Sequence, residues 1–371
     1  MPTPPMMTNA AMKKIVILGA GVMGSALAVP AVDAGNSVTV VGSPLDDAIV
    51  ASVNETRHHP GLNLKMPEAI VFTGNNESDA SLLYDADIIV IGVSSPGVPW
   101  AVDKIRDANA APAILSLVTK GLVARDDSQA PYTQAPYTYA DTLQSLVNES
   151  ADKAMNIVGI GGPCIARELA LRIPTRVTFA SQDVAVAEQM RSRFATPYYR
   201  ITTDPDIVSV EACAALKNFL CIGVSAMISA YETDTGTAKN PVAGLYNQAV
   251  HELLTLSQWI ASGSDIQCDR QGRVPVAFDL AGMGDLHVTV GGGRNSRLGN
   301  YLGQGERLAA IQSGAMQGVT VEGVDTGRSL SSACRNACST GQLKAQSIPL
   351  TLAILNSIDY DDPFSFDFEL L

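Results

Sequence analysis

Histidine, cysteine and aromatic residues are sparse in this 371-residue chain, and acidic residues outnumber basic ones. The only adjacent histidines, His58 and His59, stand in a polar stretch without zinc-ligand spacing, so no metal is expected. The six cysteines, Cys164, Cys213, Cys221, Cys268, Cys334 and Cys338, fall in no ligand pattern either and suit a reducing compartment where thiols stay free. With 25 Lys and Arg against 37 Asp and Glu, the formal net charge is −12 at pH 7. No basic surplus is left to hold a nucleic-acid backbone, so a nucleic-acid partner is not expected. An anionic small substrate would have to meet a local cluster of cations instead. Charge-free apolar runs such as residues 88–102 fall short of the ~18 residues a bilayer span needs, and no membrane span is expected. Residues 1–12 lack the charged start and small-residue cleavage site of a secretion signal, and read as a flexible tail on a cytoplasmic protein.

What is present is core material: 46% of the residues are hydrophobic and 17% charged, enough for two or three domains at this length. The aliphatic run 15–18 leads into Gly19-Ala20-Gly21-Val22-Met23-Gly24, small helix-compatible residues follow, and a second apolar run occupies 37–41. This is strand, glycine turn, helix and strand within about thirty residues, the length of a βαβ unit. Each glycine has a reason there. The first allows the tight turn, the second lets a pyrophosphate approach the backbone, and the third lets helix and strand pack closely. The helix N-terminus adds unpaired N–H groups and a positive dipole end. Dinucleotide binding through Gly19, Gly21, Val22, Met23 and Gly24 follows.

Further β-rich runs at 69–72, 87–93, 113–118, 157–160 and 176–179 alternate with helical or polar stretches and argue for a parallel doubly wound sheet. From residue 206 the texture changes to a long helix through 231, and later segments are helices and glycine-rich loops. A boundary near 204 divides 13–204 from a mainly helical 205–371. The pentapeptide Gln-Ala-Pro-Tyr-Thr at 129–133 is repeated at 134–138, and the pair reads as a surface-loop insertion.

The acid that commonly ends the second strand and holds a ribose is replaced by Gly42 and Ser43, while Asp46 and Asp47 come late and no nearby Arg or Lys awaits a 2′-phosphate. The choice between NAD and NADP is therefore weakly weighted, toward NAD. Nicotinamide chemistry needs a group that exchanges the alcohol proton and a cation that polarises the carbonyl. Lys120 closes an apolar run, and Lys217 lies inside Cys213-Ala-Ala-Leu-Lys-Asn-Phe219, where a structural purpose for a charge is hard to find. After Gly282-Met283-Gly284 the chain delivers Asp285, Thr289, Arg294, Asn295 and Arg297 within a short span, a donor set suited to the phosphate of a small substrate.

Together these segments resemble the NAD(P)-dependent glycerol-3-phosphate dehydrogenase family from Lys14 to about residue 357. The pieces include Val93-Ser94-Ser95, Thr119-Lys-Gly-Leu122, Gly162-Pro-Cys-Ile-Ala-Arg-Glu168, Glu211 through Asn218, Gly282 through Thr289, Gly293-Arg-Asn295 and Val321-Glu-Gly323. The resemblance implies a Rossmann-like sheet domain followed by a helical domain, with the active site between them. It implies interconversion of sn-glycerol 3-phosphate and dihydroxyacetone phosphate, with Lys217 as general acid/base, Lys120 polarising the substrate oxygen and Asp285 orienting Lys217. Thr289, Arg294 and Asn295 would contact substrate; Ser43, Ser94, Arg294 and Glu322 would join the glycines at the cofactor; a homodimer is implied as well. Cys164 stands where the family usually has Ser or Asn, and the stretch 238–252 lacks the family's usual arginine. Those departures leave a related dehydrogenase acting on another small phosphorylated or polyol substrate as the alternative.

Overall fold

A computed structural model describes residues 12–78, 80–125, 135–149, 155–233, 236–237, 239–270 and 272–370. The tail expected at 1–12 lies outside the described residues apart from Met12, as does the first copy of the pentapeptide.

The main sheet has eight strands: β1 (Lys14–Leu18), β2 (Ser37–Val41), β3 (Ile70–Thr73), β4 (Ile88–Ile91), β5 (Ile114–Leu117), β6 (Asn156–Gly161), β7 (Thr175–Ala180) and β8 (Tyr199–Asp204). Their spatial order is β8-β7-β6-β5-β4-β1-β2-β3. Strand β1 pairs in parallel with β2 (Leu18 opposite Val41) and with β4 (Leu18 opposite Ile91). The chain runs outward from β1 to β3 and then returns to β4 on the other side of β1. That reversal opens a crevice at the C-terminal ends of β1 and β4, where ligands of such sheets bind.

Alternation along β1 sends Val16 and Leu18 to one face and Ile15 and Ile17 to the other. Ile15 and Ile17 pack with Leu27 and Val29 of the helix Val22–Asp33. Val16 and Leu18 join a core that also contains Leu216, Phe219 and Leu220 of the helix Ile207–Ala230. The sheet and the helical half are thus welded by one hydrophobic cluster.

Two sheet features depart from the sequence reading. Strand β7 runs antiparallel to β6, because the segment between them holds only the five-residue helix Ala166–Ala170, too short to carry the chain back along the sheet. Strand β8 escaped notice because Tyr-Arg-Ile-Thr-Thr-Asp carries polar residues at most positions, yet it pairs with β7 over its whole length. Residues 135–138, the described part of the second pentapeptide copy, are also no surface loop. Ala135 and Thr138 are buried, Tyr137 exchanges two 2.9 Å backbone hydrogen bonds with Val123, and the Arg125 guanidinium stacks on the Tyr137 ring at 3.7 Å.

The helix Ile207–Ala230 is capped by Asp206, whose Oδ1 accepts the Ser209 N–H at 2.9 Å. By length and composition it could cross a membrane, but 94% of its apolar window is buried inside the protein, as suits a core helix. The helix Arg294–Gly303 crosses it at backbone contact: a Cβ on Gly303 would lie 2.0 Å from the Ala226 carbonyl oxygen, and one on Gly299 would lie 2.3 Å from that of Ile222. This crossing sets Asn295 beside Asn218 and leaves Arg294, at the start of the same helix, lining the cleft.

Candidate active site

A cleft of about 640 Å³ opens at the C-terminal ends of β1 and β4, against the helical half. Gly19, Gly21, Val22, Met23, Ser43 and Ser94 line it, as do Lys120, Lys217, Arg294 and Glu322. Gly19 has φ +115°, and a Cβ there would meet Val93 Cγ1 at 2.8 Å, so only glycine serves. Gly24 lies outside the cleft lining; its Cα packs so near the loop that a Cβ would sit 2.3 Å from the Gly19 carbonyl oxygen. Around Gly21, by contrast, nothing lies within 4 Å of where a Cβ would stand. A tight turn, an open approach and a helix N-terminus at Val22 are what a pyrophosphate requires, and the residues present fit a dinucleotide.

At the other end of the cleft the loop after β5 supplies Lys120 and the central helix supplies Lys217. The π-helical turn Leu280–Gly284 delivers Asp285 between them. Asp285 Oδ1 accepts from Lys217 Nζ and Oδ2 from Lys120 Nζ, both at 2.8 Å. Lys217 Nζ also donates to Thr289 Oγ1 at 2.6 Å, and that hydroxyl donates to the Asp285 carbonyl at 2.7 Å. Lys217 and Asp285 are buried, while the Lys120 side chain keeps 22% exposure.

The three charges set one another's protonation. Burial and the neighbouring Lys120 charge pull Lys217 down to about 8, against the opposing pull of Asp285. Burial also works against the Lys120 ammonium, but the Asp285 carboxylate outweighs it and holds Lys120 above the usual lysine value. Burial would raise Asp285, yet the two ammonium groups keep it below the ordinary carboxylate range. Lys120 is thus the fixed cation and Lys217 the group near its titration point. Cys164 is no anion here, since burial pushes its thiol up to about 12 despite the nearby Lys120.

Arg294 and Glu322 face the cleft as an ion pair, with the Arg294 Nη2 donating to Glu322 Oε1. Two residues expected to touch substrate, Thr289 and Asn295, are not among the residues that line the cleft, and each is tied to protein groups. Thr289 spends its hydroxyl on Lys217 and Asp285. Asn295 is buried: its Nδ2 donates to Asn218 Oδ1 at 3.1 Å and its Oδ1 accepts the Gly323 N–H at 2.8 Å. The physical reason is the tight helix crossing, which leaves the Asn295 amide against the central helix.

Sequence reasoning passed over several cleft residues. Asn218, next to Lys217, lines the cleft, and adjacency within a quoted motif was the available signal. Trp100 lines it too, with its indole N–H donated to Asn75 Oδ1 at 3.1 Å. Asp46 comes too late in the sequence for the acid that holds a ribose. Its Oδ2 instead accepts the Ala20 and Ser43 N–H groups at 3.0 and 2.8 Å, tying the glycine loop to the end of β2. His59, expected in a polar loop, is fully buried.

Family models described as the N-terminus and the C-terminus of NAD-dependent glycerol-3-phosphate dehydrogenase match residues 14–187 and 206–360. The chain is 34% identical over 315 residues to the NADP(+)-dependent glycerol-3-phosphate dehydrogenase of Archaeoglobus fulgidus, covering 84% of this chain and 87% of that protein. It is 30% identical over 320 residues to the glycerol-3-phosphate dehydrogenase [NAD(P)+] of Bacillus anthracis, covering 85% and 84%. Among solved structures, the glycerol-3-phosphate dehydrogenase of Coxiella burnetii superposes with a TM-score of 0.71 at 22% identity, over 95% of this chain and 96% of that one. The enzyme from Plasmodium falciparum gives 0.74 at 17% identity, over 95% and 93%. Both structures share the fold. With both family models covering nearly the whole chain, and the cleft holding a glycine cradle at one end and a lysine–aspartate cluster at the other, this protein belongs to the NAD-dependent glycerol-3-phosphate dehydrogenase family.

Proposed function

We propose that this chain interconverts sn-glycerol 3-phosphate and dihydroxyacetone phosphate, with Lys217 Nζ exchanging the proton of the C2 oxygen. The observation that carries this reading is the geometry at Lys217. Two of its N–H groups are committed to Asp285 and Thr289, so its remaining tetrahedral position is left for the cleft that it lines. In the neutral amine that position is the lone pair, ready to take a hydroxyl proton; in the ammonium it is an N–H, ready to return it. Bound nicotinamide supplies or accepts the hydride at C2. Lys120, held charged by Asp285, stabilises negative charge developing on the substrate oxygen. Asp285 fixes both ammonium groups, and Thr289 orients Lys217.

Arg294 is the cation for the substrate phosphate, held by its ion pair with Glu322. Asn295 acts through Asn218, holding it toward the cleft. Residues 13–204 serve as the cofactor domain and 205–371 as the substrate domain, with the junction between the end of β8 and the Asp206 cap. A cytoplasmic homodimer fits the family resemblance.

NAD is the favoured cofactor. Among the described residues lining the cleft, the cations Lys120, Lys217 and Arg294 stand at the catalytic end, whereas beside Ser43, Pro44 and Leu45 the charged group is the Asp46 carboxylate. A 2′-phosphate there would find a like charge and no cation. Oxidation of NADH by dihydroxyacetone phosphate, compared with NADPH and with unphosphorylated dihydroxyacetone, tests the reading. The expected result is turnover that requires the phosphate and runs faster with NADH. Equal turnover without the phosphate would remove the Arg294 assignment, and faster turnover with NADPH would remove the Asp46 argument.

A further inference from the structure

Ala20, between the first two glycines of the loop, has both backbone groups held by side chains from elsewhere. Its N–H donates to Asp46 Oδ2 at 3.0 Å. Its carbonyl accepts from Ser25 Oγ at 3.0 Å and lies 2.9 Å from His59 Nε2. The other ring nitrogen, Nδ1, accepts the Leu62 N–H at 3.1 Å, so the hydrogen-bond network assigns the proton to Nε2 and makes it the donor to Ala20. Ser25 and His59 are fully buried. His59 belongs to the small hairpin His58–His59 and Leu64–Lys65, which stands apart from the main sheet.

The consequence runs through one peptide plane. The Ala20 carbonyl and the Gly21 N–H belong to the same trans peptide and point in opposite directions. With the carbonyl drawn toward buried His59 and Ser25, the Gly21 N–H is turned away from them, at the glycine whose surroundings are open and which lines the cleft. We propose that His59 is a positioning residue for the cofactor's phosphates. By donating to the Ala20 carbonyl, it sets the Ala20–Gly21 peptide so that the Gly21 N–H and the first N–H groups of the helix Val22–Asp33 converge on a pyrophosphate. This rests on the reading of the cleft as a dinucleotide site.

The same network makes the loop sensitive to acid. A proton on Nδ1 would set an N–H against the Leu62 N–H. Burial keeps the imidazole below the ordinary histidine range, with the Asp46 carboxylate opposing and His58 reinforcing that direction.

Two isosteric substitutions separate the roles of the ring nitrogens. In His59→Gln the amide nitrogen takes the place of Nε2 and can still reach the Ala20 carbonyl. In His59→Asn the amide oxygen takes the place of Nδ1 and keeps only the Leu62 contact. Titration of each with NADH, followed by the fluorescence of the bound cofactor, is expected to give near-wild-type affinity for the Gln variant. For the Asn variant, affinity should be roughly two- to tenfold weaker, the range of one net hydrogen bond, with the loss falling on KM for NADH rather than on kcat. Wild-type affinity should also weaken on the acid side of the histidine range, and that limb should be absent in the Gln variant. The reverse order, Asn tight and Gln weak, would make His59 only a brace for the turn at Leu62 and overturn the proposal, as would equal affinity in all three. Should either His59 variant fail to fold, Ser25→Ala removes the other bond to the same carbonyl and leaves the hairpin untouched. It too should weaken NADH, and unchanged binding there counts against the proposal. Wild-type protein that binds no NADH would instead defeat the dinucleotide reading itself.

Discussion

Asp285 bridges two cations, buried Lys217 and partly exposed Lys120, through a single carboxylate, and the chemistry depends on that division of charge. Because Lys217 titrates near 8, its neutral form accumulates as pH rises through that value. Oxidation of glycerol 3-phosphate should therefore climb with pH to a plateau above about 8. Reduction of dihydroxyacetone phosphate, which needs the ammonium, should be flat below it and fall above it, by about tenfold per pH unit. In Asp285→Asn the counter-charge is gone while Lys120 remains, so both limbs should move to lower pH. Limbs that stay in place would mean another group carries the proton. Arg294→Ala should raise KM for the phosphorylated substrate roughly ten- to a hundredfold, the range of a charge-assisted hydrogen bond, and an unchanged KM would place the phosphate elsewhere. At this scale Lys217 was legible because a charge in an apolar helical stretch is costly without a purpose. The inward turn of Asn295 and the burial of His59 were not legible, since each depends on partners far away in sequence, Gly323 and Ala20.

The elements that matter most are the central helix and the helix Arg294–Gly303 packed on it. Their closeness is set by glycine: Gly303→Ala would thrust a Cβ to 2.0 Å from the Ala226 carbonyl oxygen. The helices must separate, at a cost of about 1–3 kcal/mol for overpacking, and Arg294 at the other end of the same helix shifts with them. The expected outcome is a lower denaturation midpoint together with a higher KM for substrate. A variant of unchanged stability would show the crossing to be looser than described. The strands β1 to β7 could be read from β-branched and aliphatic runs, and the helix at 207–230 from its unbroken small and aliphatic composition. Strand β8 and the reversed direction of β7 could not, because polar alternation hides the one and loop length decides the other.

For the whole molecule, the reversal of strand order at β1 places the glycine loop and the loop carrying Lys120 at one edge, and the shared core brings the helical half against it. Neither half alone contains the site, since Asp285 of the second half bridges Lys120 of the first to Lys217. A change of texture near residue 204 was readable. The continuity of the core across it was not, because periodicity reports which face is apolar and says nothing of what covers it. In a chain of net charge −12, the three cations lining this cleft are matched by the carboxylates of Asp46, Glu322 and neighbouring Asp285, so the cleft escapes the acidic surplus of the rest of the chain.

The central claim is that Lys217 carries the proton while the rest of the cleft binds. Its most direct test is turnover of NADH and dihydroxyacetone phosphate by Lys217→Ala, with NADH affinity measured on the same protein. The account predicts a kcat lower by about 10²–10⁴ with NADH binding retained, as for removal of a general acid/base. Turnover within a few-fold of wild type at full cofactor affinity would contradict it.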